Sequence, residues 1–202
     1  MGDVPVILVL GGWAAAGYVV AAGRGLIPLT GVSAIFALLL AGAWAFRREI
    51  RRLERLAFED ELTGVRNYRY LREELDRQVV RARREGTPLS LLMLDLRDFK
   101  GYNDRHGHLA GNRALAEVAR LIGVAVRPGD TVARFGGDEF AVILPGRAEA
   151  VAWRLGERLA RKLADCLDGL QVDVGAAGHD GRRAEELLHA ADVAMYSHKR
   201  GE

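Results

Sequence analysis

The chain has 202 residues, enough for one ordinary domain and a short additional segment. Its 29 Lys and Arg against 27 Asp and Glu give a formal net charge of +2, so the overall charge gives no reason to expect a nucleic acid polymer as a partner. Among these charged residues only Asp3 and Arg24 precede Arg47. The composition therefore predicts two regions, an almost uncharged one up to residue 46 that suits an apolar environment and a charged one after it that suits water.

Two apolar stretches open the sequence, at residues 5–23 and 26–46. Each is about as long as a helix that crosses roughly 30 Å of hydrocarbon, so we predict a transmembrane hairpin over residues 1–46. Buried core helices and a secretory signal are the alternatives. A signal peptide, however, is normally followed by a cleavage site and an exported domain, whereas here a second apolar run follows almost at once.

A basic segment, residues 47–59, follows the second apolar stretch and contains the run RREIRRLER. Because basic residues flanking a span stay on the cytoplasmic side, this segment predicts an inner-membrane protein with a cytoplasmic domain and the lipid bilayer as a partner. The spacing of Ile50, Leu53 and Ala57 is that of a helical stripe. This linker helix is expected either to pair with a second copy of itself or to lie against lipid head groups.

Beyond residue 60 the spacing of apolar residues alternates between that of helices and that of strands. Helices are predicted at residues 68–84, 110–126, 148–167 and 183–199, and strands at 88–95, 132–135, 138–144 and 170–177. Gly136 and Gly137 separate the second strand from the third, which indicates a hairpin. This order predicts an α+β domain over residues 60–202 with a mainly antiparallel sheet covered by helices.

Cysteine and histidine usage argues against disulfides and zinc. The single cysteine, Cys166, has no partner for an internal disulfide, and we expect it to pack on a helix in a reducing compartment. The five histidines lack the paired spacing of a zinc site.

Three acidic residues are candidates for catalysis. Asp95 ends the first strand of the domain, and Asp138 and Glu139 follow the glycine pair. If the first strand pairs with the hairpin, these carboxylates meet at one sheet edge, where a hard cation such as magnesium would relieve their mutual repulsion. That arrangement suits two-metal phosphoryl transfer. A tight turn with solvated acids is the alternative.

Four motifs in the domain resemble those of the GGDEF family of diguanylate cyclases. They are DELTGVRN (60–67), LDLRDFKGYNDRHGHLAGN (94–112), RFGGDEF (134–140) and ADVAMYSHK (191–199). The resemblance covers about residues 58–202 in order and spacing. It implies a homodimer in which each subunit holds one GTP, and in which two GTP are joined into cyclic di-GMP with release of pyrophosphate.

The resemblance also implies roles for individual residues. Asp95 is implied to bind both of two Mg²⁺ or Mn²⁺ ions, and Leu96 to bind one through its main-chain carbonyl. Asp138 is implied to bind metal and to accept the proton of the 3′-hydroxyl, with Glu139 completing the acidic cluster. The implied substrate-binding residues are Lys100, Asn103, His108, Asn112, Gly136, Gly137 and Lys199. Of these, Lys199 has the alternative of a solvated cation at a helix C-terminus and His108 that of a turn residue.

The sequence departs from the family pattern at two positions near these residues. Asn112 stands where the family usually has an Asp that holds the guanine edge, and an amide turns a donor toward one of the two guanine donors. We therefore expect relaxed or altered base preference, since Asn can pair with adenine. Arg97 replaces a second acid that is common in the first-strand motif.

Arg127 and Asp130 form an RxxD pair, and five residues separate Asp130 from Gly136. At this position the resemblance implies an inhibitory site for cyclic di-GMP. A guanidinium can bind phosphate or guanine acceptors, and a carboxylate can accept from guanine donors. An ordinary Pro-Gly turn is the alternative for the sequence RPGD.

Two other functions compete with the cyclase. One is a catalytically weak receptor that senses cyclic dinucleotide through Arg127 and Asp130, and another is a membrane assembly partner that uses the domain as a scaffold. The intact acids and Lys100 favour the enzyme. Asn112 and the end of the sequence at Glu202, before a final strand that the family usually has, favour the receptor.

Overall fold

The computed structural model describes residues 18–20, 26–167 and 170–200, with side chains for 34–167 and 170–197. The chain divides into two units, Met1–Glu54 and Arg55–Glu202. In the first, strand β1 (Tyr18–Val20) pairs antiparallel with strand β2 (Leu26–Pro28). Helix α1 (Leu29–Phe58) follows and runs into the second unit.

The predicted transmembrane hairpin is wrong, and with it the predicted inner-membrane location. Within the described ranges, no helix combines the length and the apolar character needed to cross a bilayer. The proposed span 26–46 is not one helix, because β2 takes its first residues and α1 continues past residue 46 through the arginines to Phe58. Of the proposed span 5–23, only the three residues of β1 are described.

The second unit has the predicted α+β fold. Its described elements after α1 are α2 (Tyr68–Glu85), β3 (Leu89–Leu96), α3 (Phe99–His106), α4 (His108–Ala125), β4 (Thr131–Arg134), β5 (Glu139–Pro145), α5 (Glu149–Cys166), β6 (Val172–Gly178) and α6 (Ala184–Arg200). The four strands of this unit form one sheet in the order β4-β5-β3-β6. Each neighbouring pair is antiparallel, so β3 lies in the centre between β5 and β6.

Helices cover both faces of this sheet. Even-numbered residues of β3, such as Leu92 and Leu94, belong to one core with residues of α4 and α5. Odd-numbered residues, such as Leu91 and Met93, belong to another core with residues of α2 and α6. Since side chains alternate along a strand, β3 is apolar on both faces from Leu91 to Leu94, before Asp95, which is only partly buried. The end of β3 is therefore the place where a charged side chain can leave the core.

Helix α3 is an element of the second unit that the spacing of apolar residues does not predict. It is eight residues long and mostly polar, too short for a periodic pattern. It starts after Asp98, whose φ of 52° is left-handed and whose side chain accepts from the Gly101 N–H at 3.2 Å. Cys166, which we expected to pack on a helix, is the last residue of α5 and is exposed.

His179 gives the fold a pH-dependent stability. It is 8% exposed at the end of β6, and neither ring nitrogen has a hydrogen-bond partner among the described residues. Burial, followed by the nearby charge of Arg83, lowers the pKa of His179 below its usual value. The folded state thus binds a proton on His179 less well than the unfolded state does. The contribution of His179 to the free energy of unfolding is therefore fully present above the unfolded pKa of about 6.5, and it is lost as the pH falls below that value.

We expect the His179→Gln variant to lose less thermal stability than the wild type between about pH 7.5 and about pH 5.5. Thermal unfolding followed by circular dichroism at both pH values measures this difference. His189→Gln is the matched control, because His189 is exposed on α6. An equal loss of Tm in the wild type and in His179→Gln would show that the buried imidazole does not cause the pH dependence.

Candidate active site

Two acidic motifs that are far apart in the sequence meet at one edge of the sheet. Asp95 in β3 is directly opposite Glu139 in β5. One step further along, the Leu96 N–H donates to the main-chain carbonyl of Asp138 at 3.2 Å. The register therefore places the end of β3 next to the start of β5 and the glycine turn before it. This is the edge of the sheet at which the sequence predicts metal binding.

A cavity of about 490 Å³ opens beside this edge, a size typical of small-molecule sites. Six of the predicted residues line it, namely Lys100, Asn103, His108, Asn112, Gly137 and Asp138. Phe99, Asp104, Leu115 and Arg134 complete the lining. Thus α3, the start of α4 and the glycine turn converge on one space, although Asp95, Leu96, Gly136 and Glu139 lie outside its lining.

A close approach between α3 and α4 fixes the cavity wall. A Cβ on Gly111 would lie 1.8 Å from the Asn103 Oδ1 and 3.2 Å from the Phe99 Cζ, so the lack of a side chain at Gly111 leaves room for the Asn103 amide in its observed position. At the corner between the two helices, Gly107 has a φ of 83° and its N–H donates to the Asn103 carbonyl at 2.7 Å. The main chain of Asn103 is therefore tied to the corner between the helices, and its amide fills the space beside Gly111.

The glycine turn is held by an arginine that the sequence analysis gave no role. Arg134 donates to the Gly137 carbonyl at 2.6 Å and forms an ion pair with Asp60 at 3.1 Å. Burial raises the pKa of Asp60, but hydrogen bonds from Thr63 and Arg134 outweigh this effect and hold it below its usual value. A charged Asp60 thus keeps Arg134 directed at the turn.

Gly136 and Gly137 serve the turn in different ways. Neither has a positive φ, so left-handed backbone does not explain this glycine pair. A Cβ on Gly136 would lie 2.4 Å from the Glu139 Oε2, whereas one on Gly137 would meet open space. Gly136 leaves room for the Glu139 carboxylate, and Gly137 leaves the cavity side of the turn uncovered.

The edge has the donor set that a magnesium-type ion prefers. Across the described ranges, no three His, Cys, Asp or Glu side chains are grouped as a complete metal cage. The edge instead combines the carboxylates of Asp95 and Asp138 with the main-chain carbonyl of Leu96. Mg²⁺ keeps several waters and takes few protein ligands besides substrate phosphates, so these residues fit such an ion. Lys199 lies in the last turn of α6, and its side chain is outside the described part.

A second cavity, of about 430 Å³, contains the RxxD pair. Arg127 is half-exposed and donates to the Pro145 carbonyl at 2.8 Å. The Asp130 side chain is 1% exposed, and its Oδ2 accepts from the Arg127 main-chain N–H at 2.9 Å and from Arg147 at 2.8 Å. Its Oδ1 is buried and accepts no hydrogen bond among the described residues, although the Arg127 Nε lies 3.6 Å from it as an ion pair. A ligand donor reaching Oδ1 would satisfy it.

A buried ion pair beside Asp95 is the other feature that sequence reasoning missed. Asp173 in β6 is directly opposite Asp95 and is fully buried. Arg97, the residue that departs from the family motif, forms an ion pair with it. The signal available in the sequence was one acid within the apolar run VDVGAAG of residues 172–178. Its partner could be named only once the strand register was known.

The comparisons agree with the four motifs. A family model described as "Diguanylate cyclase, GGDEF domain" matches residues 57–202. The diguanylate cyclase DgcP of Pseudomonas aeruginosa is 36% identical over 166 residues, covering 78% of this chain and 25% of that protein. The response regulator PleD of Caulobacter vibrioides is 37% identical over 155 residues, covering 71% of this chain and 34% of that protein. The chain thus spans about a quarter to a third of the length of these curated relatives.

A solved structure gives the same result for the fold. The coiled coil and GGDEF domain of DgcB from Caulobacter crescentus, in complex with c-di-GMP, superposes with a TM-score of 0.77 at 31% identity. The superposition covers 84% of this chain and 95% of that one. The resemblance carried by the four motifs is confirmed, and the chain belongs to the GGDEF family.

Proposed function

We propose that this chain is a diguanylate cyclase that condenses two GTP into cyclic di-GMP and releases two pyrophosphates. One observation carries the proposal. Asp95 is directly opposite Glu139, the first residue of β5. Asp138, the residue before Glu139, lines a cavity together with Lys100, Asn103 and His108. Acids next to a basic and polar cavity of this size suit a nucleoside triphosphate with its metal ions.

The proposed reaction forms and breaks one P–O bond in each of two steps. The 3′-oxygen of one GTP attacks the α-phosphorus of the other, and the bond from that phosphorus to pyrophosphate breaks. Asp138 accepts the proton of the attacking hydroxyl. Two Mg²⁺ or Mn²⁺ ions held by Asp95, the Leu96 carbonyl, Asp138 and Glu139 would supply charge stabilisation to the triphosphate.

The remaining residues bind and orient the substrate. Lys100 and Lys199 contact phosphate oxygens as flexible point charges, while Asn103 and His108 hold the nucleotide from α3 and α4. Because each subunit holds one GTP, catalysis needs a homodimer in which two such cavities face each other. Proximity of the two nucleotides then supplies much of the rate.

The direct test incubates the purified full chain with GTP and Mg²⁺ and measures cyclic di-GMP and pyrophosphate. The proposal expects both products in a ratio of about one to two, from the stoichiometry of two condensations. A chain that binds cyclic di-GMP but forms neither product would be the receptor instead. A chain that does neither would leave only the scaffold hypothesis.

Product inhibition is the first refinement of this proposal. The Asp130 Oδ1, which has no hydrogen bond among the described residues, and the half-exposed guanidinium of Arg127, 3.6 Å from it, offer an acceptor and a donor to a guanine. We expect Arg127→Ala to raise the concentration of cyclic di-GMP needed for half-inhibition by about tenfold or more, as the loss of a charge-assisted bond implies. Initial rates at increasing added product measure it, and Arg158→Ala on α5 is the exposed control.

Base preference is the second refinement. Asn112 lines the proposed substrate cavity and is exposed, so its amide is available to a bound base. We expect Asn112→Asp to raise the ratio of kcat/KM for GTP over ATP by at least about tenfold, because a carboxylate accepts from both guanine donors. Equal and strict GTP preference in both proteins would contradict this assignment.

A further inference from the structure

The carboxylate of Asp130 in the second cavity is already half occupied by the protein itself. Its Oδ2 accepts from the Arg127 main-chain N–H at 2.9 Å and from the Arg147 Nη2 at 2.8 Å. Since a carboxylate oxygen has two lone pairs, these two donors fill the acceptor positions of Oδ2. Oδ1 accepts no hydrogen bond among the described residues, and the Arg127 Nε lies 3.6 Å from it as an ion pair. Oδ1 is therefore the oxygen that a ligand donor can use.

The two arginines differ in how readily a ligand can displace them. The Arg127 side chain is 53% exposed and lines the cavity, so its guanidinium can turn from Oδ1 toward acceptors on a ligand. The Arg147 side chain is only 16% exposed and does not belong to the described lining of the cavity. Its main chain is also fixed, because the buried Ser90 hydroxyl donates to the Arg147 carbonyl at 2.8 Å. Arg147 therefore stays on Oδ2 while a ligand binds at Oδ1.

This arrangement limits what Asp130 can recognise on a base. Guanine presents two neighbouring donors, N1–H and the exocyclic amine, and a carboxylate can accept one of them on each oxygen. Paired contacts of this kind discriminate between bases more strongly than single ones. With Oδ2 filled by Arg127 and Arg147, Asp130 can accept only one of the two guanine donors.

We propose that Arg147 is a specificity-determining residue of the second cavity, which acts through Asp130 and restricts recognition of a cyclic dinucleotide base to one donor. The inference rests on the proposed function, because it concerns the product site of the cyclase. It predicts that the exocyclic amine of guanine contributes little to binding there. The RxxD pattern does not reveal this contact, because Arg147 lies 17 residues from Asp130 in the chain.

The test compares cyclic di-GMP with cyclic di-IMP, whose hypoxanthine base keeps N1–H and lacks the amine. Isothermal titration calorimetry of the purified full chain, without GTP or metal ions, measures both dissociation constants. Arg127→Ala gives the background binding outside the second cavity. We expect the wild type to bind cyclic di-IMP within about threefold of cyclic di-GMP, because Asp130 has no acceptor left for the amine.

The Arg147→Met variant keeps a side chain of similar length and removes its donors. We expect its preference for cyclic di-GMP over cyclic di-IMP to rise to about tenfold or more, because Oδ2 can then accept the amine as a second hydrogen bond to a charged group. Arg161→Met is the matched control, since Arg161 is exposed on α5, and it should keep the wild-type ratio. The ratio excludes a purely structural role, because a general loss of stability would weaken the binding of both ligands alike.

A wild type that prefers cyclic di-GMP by about tenfold or more would overturn the proposal, and this result decides the matter even if Arg147→Met does not fold. An unchanged ratio in a folded Arg147→Met would also overturn it. So would equal binding to the wild type and to Arg127→Ala, because the ligand would then bind elsewhere. A wild type with the expected ratio that releases no pyrophosphate from GTP would overturn the cyclase and leave the role of Arg147 standing.

Discussion

The Asp138→Asn variant is expected to form cyclic di-GMP at least about a thousandfold more slowly than the wild type, with its fold intact. The change keeps the size of the side chain but removes both the proton acceptor for the 3′-hydroxyl and one carboxylate for the metal ions. General base catalysis alone contributes roughly 10²- to 10⁴-fold, and metal ions contribute several kcal/mol more. Because Asp138 is partly exposed beside the cavity, its replacement disturbs no core packing.

The measurement is the initial rate of pyrophosphate release at saturating GTP and Mg²⁺, with thermal unfolding as a check of the fold. Asp165→Asn is the matched control, because Asp165 is an exposed acid on α5 that does not line the cavity. We expect the control to retain wild-type activity. A rate for Asp138→Asn within about tenfold of the wild type would remove Asp138 from the reaction, since that is too small for a lost catalytic base.

The sequence predicted the sheet and its acidic edge because both follow from short-range patterns. Strand β3 is apolar on both faces from Leu91 to Leu94, and the interruption at Asp95 is visible in the printed sequence. The two glycines before Asp138 mark a chain reversal in the same direct way. Once these two strands pair as neighbours, the convergence of their acids follows without further information.

Features that depend on partners far apart in the chain were not predictable. Arg134 bonds to Asp60 across 74 residues and Arg97 to Asp173 across 76, and neither pairing has a local signal. The transmembrane prediction failed for a related reason. The apolar stretch 26–46 has the length of a span, but its first residues form strand β2, and helix α1 extends beyond its end through the arginines.

The second large effect is expected at Arg134, where the side chain joins two motifs of the domain. The Arg134→Ala variant is expected to lower kcat/KM for GTP by about a hundredfold, because a displacement of about 1 Å in a reacting group can cost this much. The guanidinium donates to the Gly137 carbonyl in the cavity wall, and the Arg134 side chain is only 16% exposed. Without it, the turn that carries Asp138 loses its link to Asp60.

Steady-state kinetics of Arg134→Ala, Arg134→Lys and Asp60→Asn separate the parts of this link. Lysine keeps the charge but not the planar fork that reaches both partners, so we expect Arg134→Lys to recover part of the activity. Asp60→Asn should cost less than Arg134→Ala, since the two donations to Gly137 remain possible. Arg120→Ala is the control, because Arg120 pairs with Glu117 on the surface of α4. If Arg134→Ala kept wild-type kcat/KM, the glycine turn would hold Asp138 in place without its arginine, and the backbone bonds from Phe135 and Gly136 to Glu139 would suffice.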